Sequence, residues 1–332
     1  MKKIIEQFLN LYLLWIVGAF ALAFLKPELF LWFTRGSWMS WALVLVMFGM
    51  GLTLKVEDFK ALFKMPRTVT LAALVQFTIM PLSGWFIGKM LGLPPAFAVG
   101  LIIVACCPAG TASTMIAYVA RANVALAVTA TAVSTMLAIF MTPLLCMLLA
   151  GHLVAVDGGK MFFDMIKISL VPVSLGVFIN YKFPNFVQKL GKTGPVVSIW
   201  SLVFISGGIM ASAVINGRED LIKYAGPVAL ATSLVILLGF GVGYALTRLL
   251  RYDKTIARTI AIETGVQNAG LGAVLARNNF QALMPLVSIP AVFYAILQNV
   301  IGGVLATIWR LKPVSTEPNP ESDSKTNSEP NA

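Results

Sequence analysis

The side chains able to do chemistry in this sequence are few, and most of them interrupt apolar runs. Glu263, Gln267 and Asn268 lie in IAIETGVQNAG, residues 260–270. Gln76 is the one strongly polar residue of LAALVQFTIMPLSGW. Thr111, Ser113 and Thr114 follow Pro108 in CCPAGTAST, while Thr129, Thr131, Ser134 and Thr135 recur within 123–150. Asn299 sits in AVFYAILQNVIGG. A charged side chain at the centre of a bilayer costs about 2.5–3.5 kcal/mol on insertion scales, so Glu263 needs a partner. The nearest cation in sequence, Arg258, lies five residues upstream near a helix end. Carboxylate, amide, hydroxyl and carbonyl oxygens suit a hard cation, and Na+ coordination is the first reading of the cluster. A proton carried by Glu263 is its rival, because burial favours the neutral carboxyl. Blander readings stand beside these. Gln76 serves equally as interhelical glue, the Ser and Thr residues as ordinary helix packing, and Asn299 as packing beside Gly302 and Gly303.

Catalytic chemistry finds little to work with. His152 is the single histidine, so a histidine-based metal site is not expected. Cys106, Cys107 and Cys146 lie in apolar surroundings without metal-ligand spacing and read as packing residues. No histidine stands near Cys106-Cys107 to activate a thiol, and Glu263 has no second acid in its motif. The sequence is therefore not expected to encode an enzyme. The net charge of +11 is not gathered into a patch, so nucleic acid is not an expected partner.

The elements that carry these residues must hold oxygen inside a membrane. Of 332 residues, 58% are hydrophobic and 12% charged, with a mean hydropathy of +0.85. A soluble domain carries about 25% charged residues. Apolar runs of about 20 residues recur, each long enough to cross a bilayer as a helix. We read an all-α polytopic membrane protein of ten transmembrane helices. The spans fall near 8–26, 37–54, 68–91, 95–120, 123–150, 162–182, 195–216, 225–249, 254–277 and 279–310. An even number places both termini on one side. Seventeen of the 25 Lys and Arg residues fall on that side and seven opposite, with Lys167 inside a span. Both termini are thus expected in the cytoplasm. Ala19-Phe20-Ala21 imitates a signal-peptidase site, but Glu6 interrupts the basic start and the apolar run continues beyond it. We read this stretch as the first span rather than a cleaved leader. Residues 313–332 are polar and Pro-rich and read as a disordered cytoplasmic tail.

CCPAGTASTMIAYVARAN at 106–123 resembles IETGVQNAGLGAVLARNN at 262–279. Both place a helix-breaking cluster in mid-span and close on Ala-Arg-x-Asn. With five spans in each half, repeats at 1–155 and 156–312 would run in opposite orientations. Pro108 removes a backbone donor, and Gly110, Gly265 and Gly270 loosen the chain. Broken backbone at membrane depth is tolerated only where protein or a water-filled cavity satisfies it. Inverted repeats with matched broken helices point to a secondary transporter whose site lies at the repeat interface, where freed carbonyls hold a cation and half-helix N-termini attract an anion.

CCPAGTAS in the fourth span, ETGVQNAGL in the ninth and a Gln ahead of Met-Pro in the third together resemble the bile acid:sodium symporter family. The resemblance covers residues 1 to about 310. It implies a panel made of the first two helices of each repeat and a core of the other six, with unwound helices 4 and 9 crossing in that core. It implies one sodium site from Gln76, the Glu263 carboxylate, Gln267 and the carbonyls of Thr264 and Val266. A second would use Ser113, Thr114, Thr131 and again Glu263. Family members often carry Asn where this chain has Thr114 and a hydroxyl where it has Ala127, so the second site has fewer ligands. The implied substrate is an organic anion between panel and core, contacted by Thr111, Asn268 and Asn299. Bacterial relatives are associated with bile acids and with small hydroxy acids such as pantoate, ketopantoate or pantothenate, and the compact chain favours a small acid. The resulting expectation is sodium-coupled uptake by alternating access in a bacterial inner membrane, with sodium ions, the anion and the bilayer as partners. A proton-coupled carrier is the alternative.

Overall fold

The computed structural model describes residues 11–58, 65–190 and 193–311. The expectations for residues 1–10 and for the tail at 313–332 lie outside them. The described chain is helical, with no strand among the described residues. It opens with α1 (Tyr12–Leu25), α2 (Glu28–Thr34), α3 (Trp38–Thr53) and α4 (Pro66–Met90). Two short helices follow, α5 (Pro95–Ala105) and α6 (Ala112–Val119), and then the long α7 (Val124–Ala150). α8 (Gly158–Lys182) contains a π turn at Ile166–Leu170, and α9 (Pro184–Leu190) leads into α10 (Thr193–Leu249). A second short pair, α11 (Lys254–Gly265) and α12 (Ala269–Phe280), precedes α13 (Ile289–Leu311).

Local chemistry explains where many of these helices begin. Pro66 and Pro95 occupy first-turn positions, where a missing N–H costs nothing. Asx side chains cap four others: Asn123 accepts from Leu126 N, Asp157 from Lys160 N, Asp253 from Ile256 N and Asn268 from Leu271 N.

Five helices are long and apolar enough to cross a membrane: Pro66–Met90, Val124–Ala150, Gly158–Lys182, Val196–Leu249 and Ile289–Leu311. A sixth is added if Leu14–Leu25 and Glu28–Thr34, bent by 105°, form one span. Large apolar side chains cover the outer surface, among them Leu14, Trp41, Phe140 and Leu148. In a protein with this many apolar helices that surface faces lipid. The protein is a multi-pass membrane protein.

Two features depart from the expected spans. α10 joins the expected spans at 195–216 and 225–249 across a kink at Gly217, and 218–224, expected as a loop, is helical. At 1.5 Å per residue its 54-residue apolar stretch would extend about 80 Å if straight, more than twice the hydrocarbon thickness. The expected span at 279–310 begins instead at Ile289, because 281–288 form turns. The mid-span breaks expected at 95–120 and 254–277 are present, at 106–111 and 266–268, and each of these spans is two helices.

These interruptions meet. Ala109 and Gln267 form an antiparallel bridge. Gly110 N donates to the Val266 carbonyl at 3.2 Å, and Asn268 N donates to the Pro108 carbonyl at 2.8 Å. Each break thus satisfies backbone groups that the other has freed. The two Ala-Arg-x-Asn ends are used differently. Asn123 caps α7 and donates its backbone N–H to Thr259 Oγ1 at 2.9 Å. At the far end of α12, Asn278 Nδ2 donates to Ser40 Oγ and Asn279 Nδ2 to Asp164 Oδ2, each at 3.1 Å.

Candidate functional site

The crossing breaks present backbone to α4 and α7, and the polar side chains of those helices turn toward them. Gln76 on α4 is buried beside the first break. Its Nε2 donates to the Cys107 carbonyl at 2.9 Å and to Gln267 Oε1 at 2.8 Å. Both amide hydrogens are thereby engaged by acceptors, which fixes the orientation of the carboxamide. Flipping it would set oxygen against two oxygens. Gln76 Oε1 is left buried with no hydrogen-bond partner among the described residues.

Glu263, in the last turn of α11, is buried and makes a related arrangement with α6 and α7. Thr131 Oγ1 donates to Glu263 Oε2 at 2.8 Å, and Ser113 Oγ lies 3.2 Å from Thr131 Oγ1. A hydroxyl has one hydrogen, so Ser113 donates to Thr131 when Thr131 donates to the carboxylate. Glu263 Oε1 has no hydrogen-bond partner among the described residues. Gln76 and Glu263 both line a cavity of about 10 Å³, together with Ser134 and the small side chains of Ala72, Ala109 and Ala130. That is room for one water-sized particle. Ser134 donates its hydroxyl hydrogen to the Thr131 carbonyl at 3.0 Å, so its lone pairs remain available.

Gln267 continues the network: its Nε2 donates to the Thr264 carbonyl at 3.1 Å, while its Oε1 receives Gln76. The Val266 carbonyl is engaged by Gly110 N. Arg258 lies elsewhere: Nη1 donates to the Ala120 carbonyl at 3.3 Å, and the guanidinium stands 5.9 Å from the Trp309 ring centroid. Two buried acceptors with free lone pairs, one of them a carboxylate oxygen, share a small cavity. Such an arrangement has the chemistry to accept a cation or a proton.

The sequence has known relatives. The sequence profile of the Sodium Bile acid symporter family matches residues 40–223, more than half of the chain. The chain belongs to that family. Among its relatives, the probable sodium/metabolite cotransporter BASS1, chloroplastic, of Arabidopsis thaliana is 38% identical over 300 residues. That alignment takes in 90% of this chain and 72% of the relative. The uncharacterized sodium-dependent transporter YocS of Bacillus subtilis (strain 168) is 38% identical over 302 residues, 90% of each chain. The ileal sodium/bile acid cotransporter of Mus musculus is 33% identical over 278 residues, 80% of this chain and 77% of that one. These relatives are transporters, not enzymes.

The remaining candidate residues of this symporter are less closely gathered. Thr114 is half-buried on α6, and no hydrogen bond among the described residues joins it to the Ser113–Thr131–Glu263 chain. Ala127 is fully buried and contributes no oxygen. Thr111 is exposed at the start of α6. Asn268 caps α12 with Oδ1 and points Nδ2 at Met47 Sδ, 3.6 Å away on α3. Asn299 Nδ2 bonds the Ala295 carbonyl of its own helix at 2.6 Å. Its neighbour Gln298, which sequence reasoning passed over, is buried and accepts from Gln267 N at 2.8 Å. Tyr294, one turn earlier on α13, was also missed and donates to the Gly265 carbonyl at 3.1 Å. Spacing could have found this pair, because residues four apart share a helix face and Asn299 is turned away from them.

Proposed function

We propose that this protein couples sodium entry to the uptake of a small organic anion by alternating access. The observation that carries the reading is the pair of buried, unpartnered oxygens, Gln76 Oε1 and Glu263 Oε1, at one cavity beside the crossed breaks. An unsatisfied buried acceptor costs about 1–3 kcal/mol, and more when charged, so two at one cavity call for a ligand. Sodium supplies the positive charge that a buried Glu263 carboxylate needs as its partner. Its ligands are the Gln76 and Glu263 oxygens, with Gln267 and the carbonyls of Thr264 and Val266 completing the shell after modest rearrangement. Ser113, Thr131 and the second Glu263 oxygen are the nucleus of a second cation position, to which Thr114 belongs only if α6 turns.

α10 counts as two spans either side of Gly217, α3 as one, and the pairs α1/α2, α5/α6 and α11/α12 as one span each. The helices then make ten spans in two inverted five-helix halves, 1–155 and 156–312, with both termini in the cytoplasm of a bacterial cell. The names of the relatives, sodium/metabolite and sodium/bile acid cotransporters, support sodium and an organic substrate. The substrate contacts are Thr111, Asn268 and Asn299, where the N-termini of α6 and α12 attract negative charge. A small hydroxy acid of the pantoate, ketopantoate or pantothenate type fits best. Sodium driven inward by the membrane potential releases about 2.3 kcal/mol per 100 mV for each ion, before any concentration term. Sodium tying the two breaks together favours the state that binds anion, and that difference in affinity is the coupling.

The test is uptake of a panel of organic anions into proteoliposomes under three conditions: a sodium gradient, choline, and a pH gradient without sodium. Saturable uptake with sodium alone is expected. Equal uptake in choline, or uptake driven by the pH gradient, would overturn the reading. A Thr131→Val variant probes the same site through one hydrogen bond. Losing a hydrogen bond to a charged group costs about 1.5–3 kcal/mol. The half-saturating sodium concentration is accordingly expected to rise by roughly ten-fold or more, with the maximal rate less affected.

A further inference from the structure

Breaking a helix at 265–268 frees backbone groups that must find partners elsewhere. In a continuous helix the Gly265 carbonyl would accept from Ala269 N, and the Gln267 amide would donate to the Glu263 carbonyl. The crossing break at 106–111 serves the middle of the segment, through Gly110 N to the Val266 carbonyl and Asn268 N to the Pro108 carbonyl. The other two groups are served by side chains of α13. Tyr294 Oη donates to the Gly265 carbonyl at 3.1 Å, and Gln298 Oε1 accepts from Gln267 N at 2.8 Å. Tyr294 is fully buried, and Gln298 is 5% exposed. They are four residues apart, on one face of one helix.

We propose that Tyr294 and Gln298 are positioning residues for cation binding, a two-point clamp that holds the unwound segment so that Gln267 and its neighbouring carbonyls face the Gln76–Glu263 cavity. The proposal rests on reading that cavity as a sodium site. Gln267 is the residue through which the clamp acts. Its amide is held by Gln298, while its side chain bonds Gln76 and the Thr264 carbonyl. Neither clamp residue reaches the cavity itself, whose lining comes from α4, α7, α11 and the first break. A cation recruiting Gln267 and the Thr264 carbonyl would therefore do so against a backbone whose position α13 sets. Movement of α13 relative to the crossed breaks would alter cation affinity without any change of ligand.

The experiment is the thermal unfolding midpoint of the purified full-length protein against sodium concentration, with choline chloride holding ionic strength constant. The wild type is expected to show a saturable, sodium-specific rise. Gln298→Leu, which removes the acceptor, is expected to raise the half-saturating sodium concentration about ten-fold. Gln298→Glu keeps an acceptor oxygen for the Gln267 amide and is expected to bind sodium at least as tightly as within about threefold of wild type. Tyr294→Phe is expected to shift half-saturation in the same direction as Gln298→Leu. If Gln298→Leu yields no folded protein, Tyr294→Phe decides on the same measurement. Lower midpoints with unchanged half-saturation would mean that the clamp only stabilises the fold, which overturns the proposal. No sodium effect in the wild type would overturn the sodium reading itself, a different failure with a different signature.

Discussion

A Glu263→Gln variant is expected to insert and fold but to lose sodium-stimulated uptake. The substitution keeps the shape of the side chain and leaves an oxygen able to accept from Thr131, which holds the carboxylate at 2.8 Å. What disappears is the charge. A cation about 4 Å from a unit negative charge gains about 4 kcal/mol at an effective dielectric of 20. That corresponds to roughly a thousand-fold in binding, enough to take sodium affinity out of any useful range. A second signature has the opposite sign. Without sodium the wild type must bury Glu263 either as an uncompensated charge or at the cost of a bound proton, and its Oε1 has no hydrogen-bond partner among the described residues. Removing an uncompensated buried charge is commonly neutral or stabilising. In choline the variant should therefore unfold at the same temperature as wild type or higher, while in sodium only the wild type gains. Uptake by the variant that still responds to sodium would exclude Glu263 as the coupling residue.

That pairing of gain and loss follows from how the site was legible in the sequence. Gln76 and Glu263 stand out because apolar runs leave a polar side chain few reasons to be there, and the structure brings them to one cavity from 187 positions apart. Hydropathy carries that information, and the family resemblance adds the pairing. Ser134 drew less weight than Thr131 because the family resemblance singles out Thr131 among the hydroxyls of 123–150. It bonds the Thr131 carbonyl, and it lines the cavity as well. Tyr294 and Gln298 were not legible for a further reason: their partners are backbone groups freed by the break, and side-chain chemistry says nothing about which carbonyl or amide will need one. Span counting met a related limit. α5, α6, α11 and α12 are each too short to cross a bilayer, because the breaks that create the site also divide the spans. The turns at 281–288 escaped detection within Leu-Met-Pro-Leu-Val, whose apolar character continues the run on either side.

Gly110 was read as a residue that loosens a helix, but its position gives it a spatial role that predicts a large effect. An added Cβ would lie 2.7 Å from the Gln267 carbonyl oxygen, 3.1 Å from its carbon and 3.3 Å from Asn268 N. All three are backbone atoms, so no side chain can rotate away to make room. Gly110→Ala must push the two breaks apart, and the bonds between them are Gly110 N to Val266 and Asn268 N to Pro108. Overpacking alone costs about 1–3 kcal/mol, and each buried backbone group left unpaired adds about 1–3 kcal/mol more. Separating the breaks also displaces Gln267, whose Oε1 receives Gln76 at 2.8 Å. Uptake is therefore expected to fall by at least about a hundred-fold, the equivalent of roughly 2.7 kcal/mol, whether the loss comes through folding or through the site. Gly241→Ala is the matched control: its added Cβ meets nothing within 4 Å. On an exposed helical position it should transport as wild type and gain about 0.5–1 kcal/mol of stability. Equal uptake by the two alanine variants would mean that the breaks can separate without consequence, and the crossing could not then be what joins cation to anion.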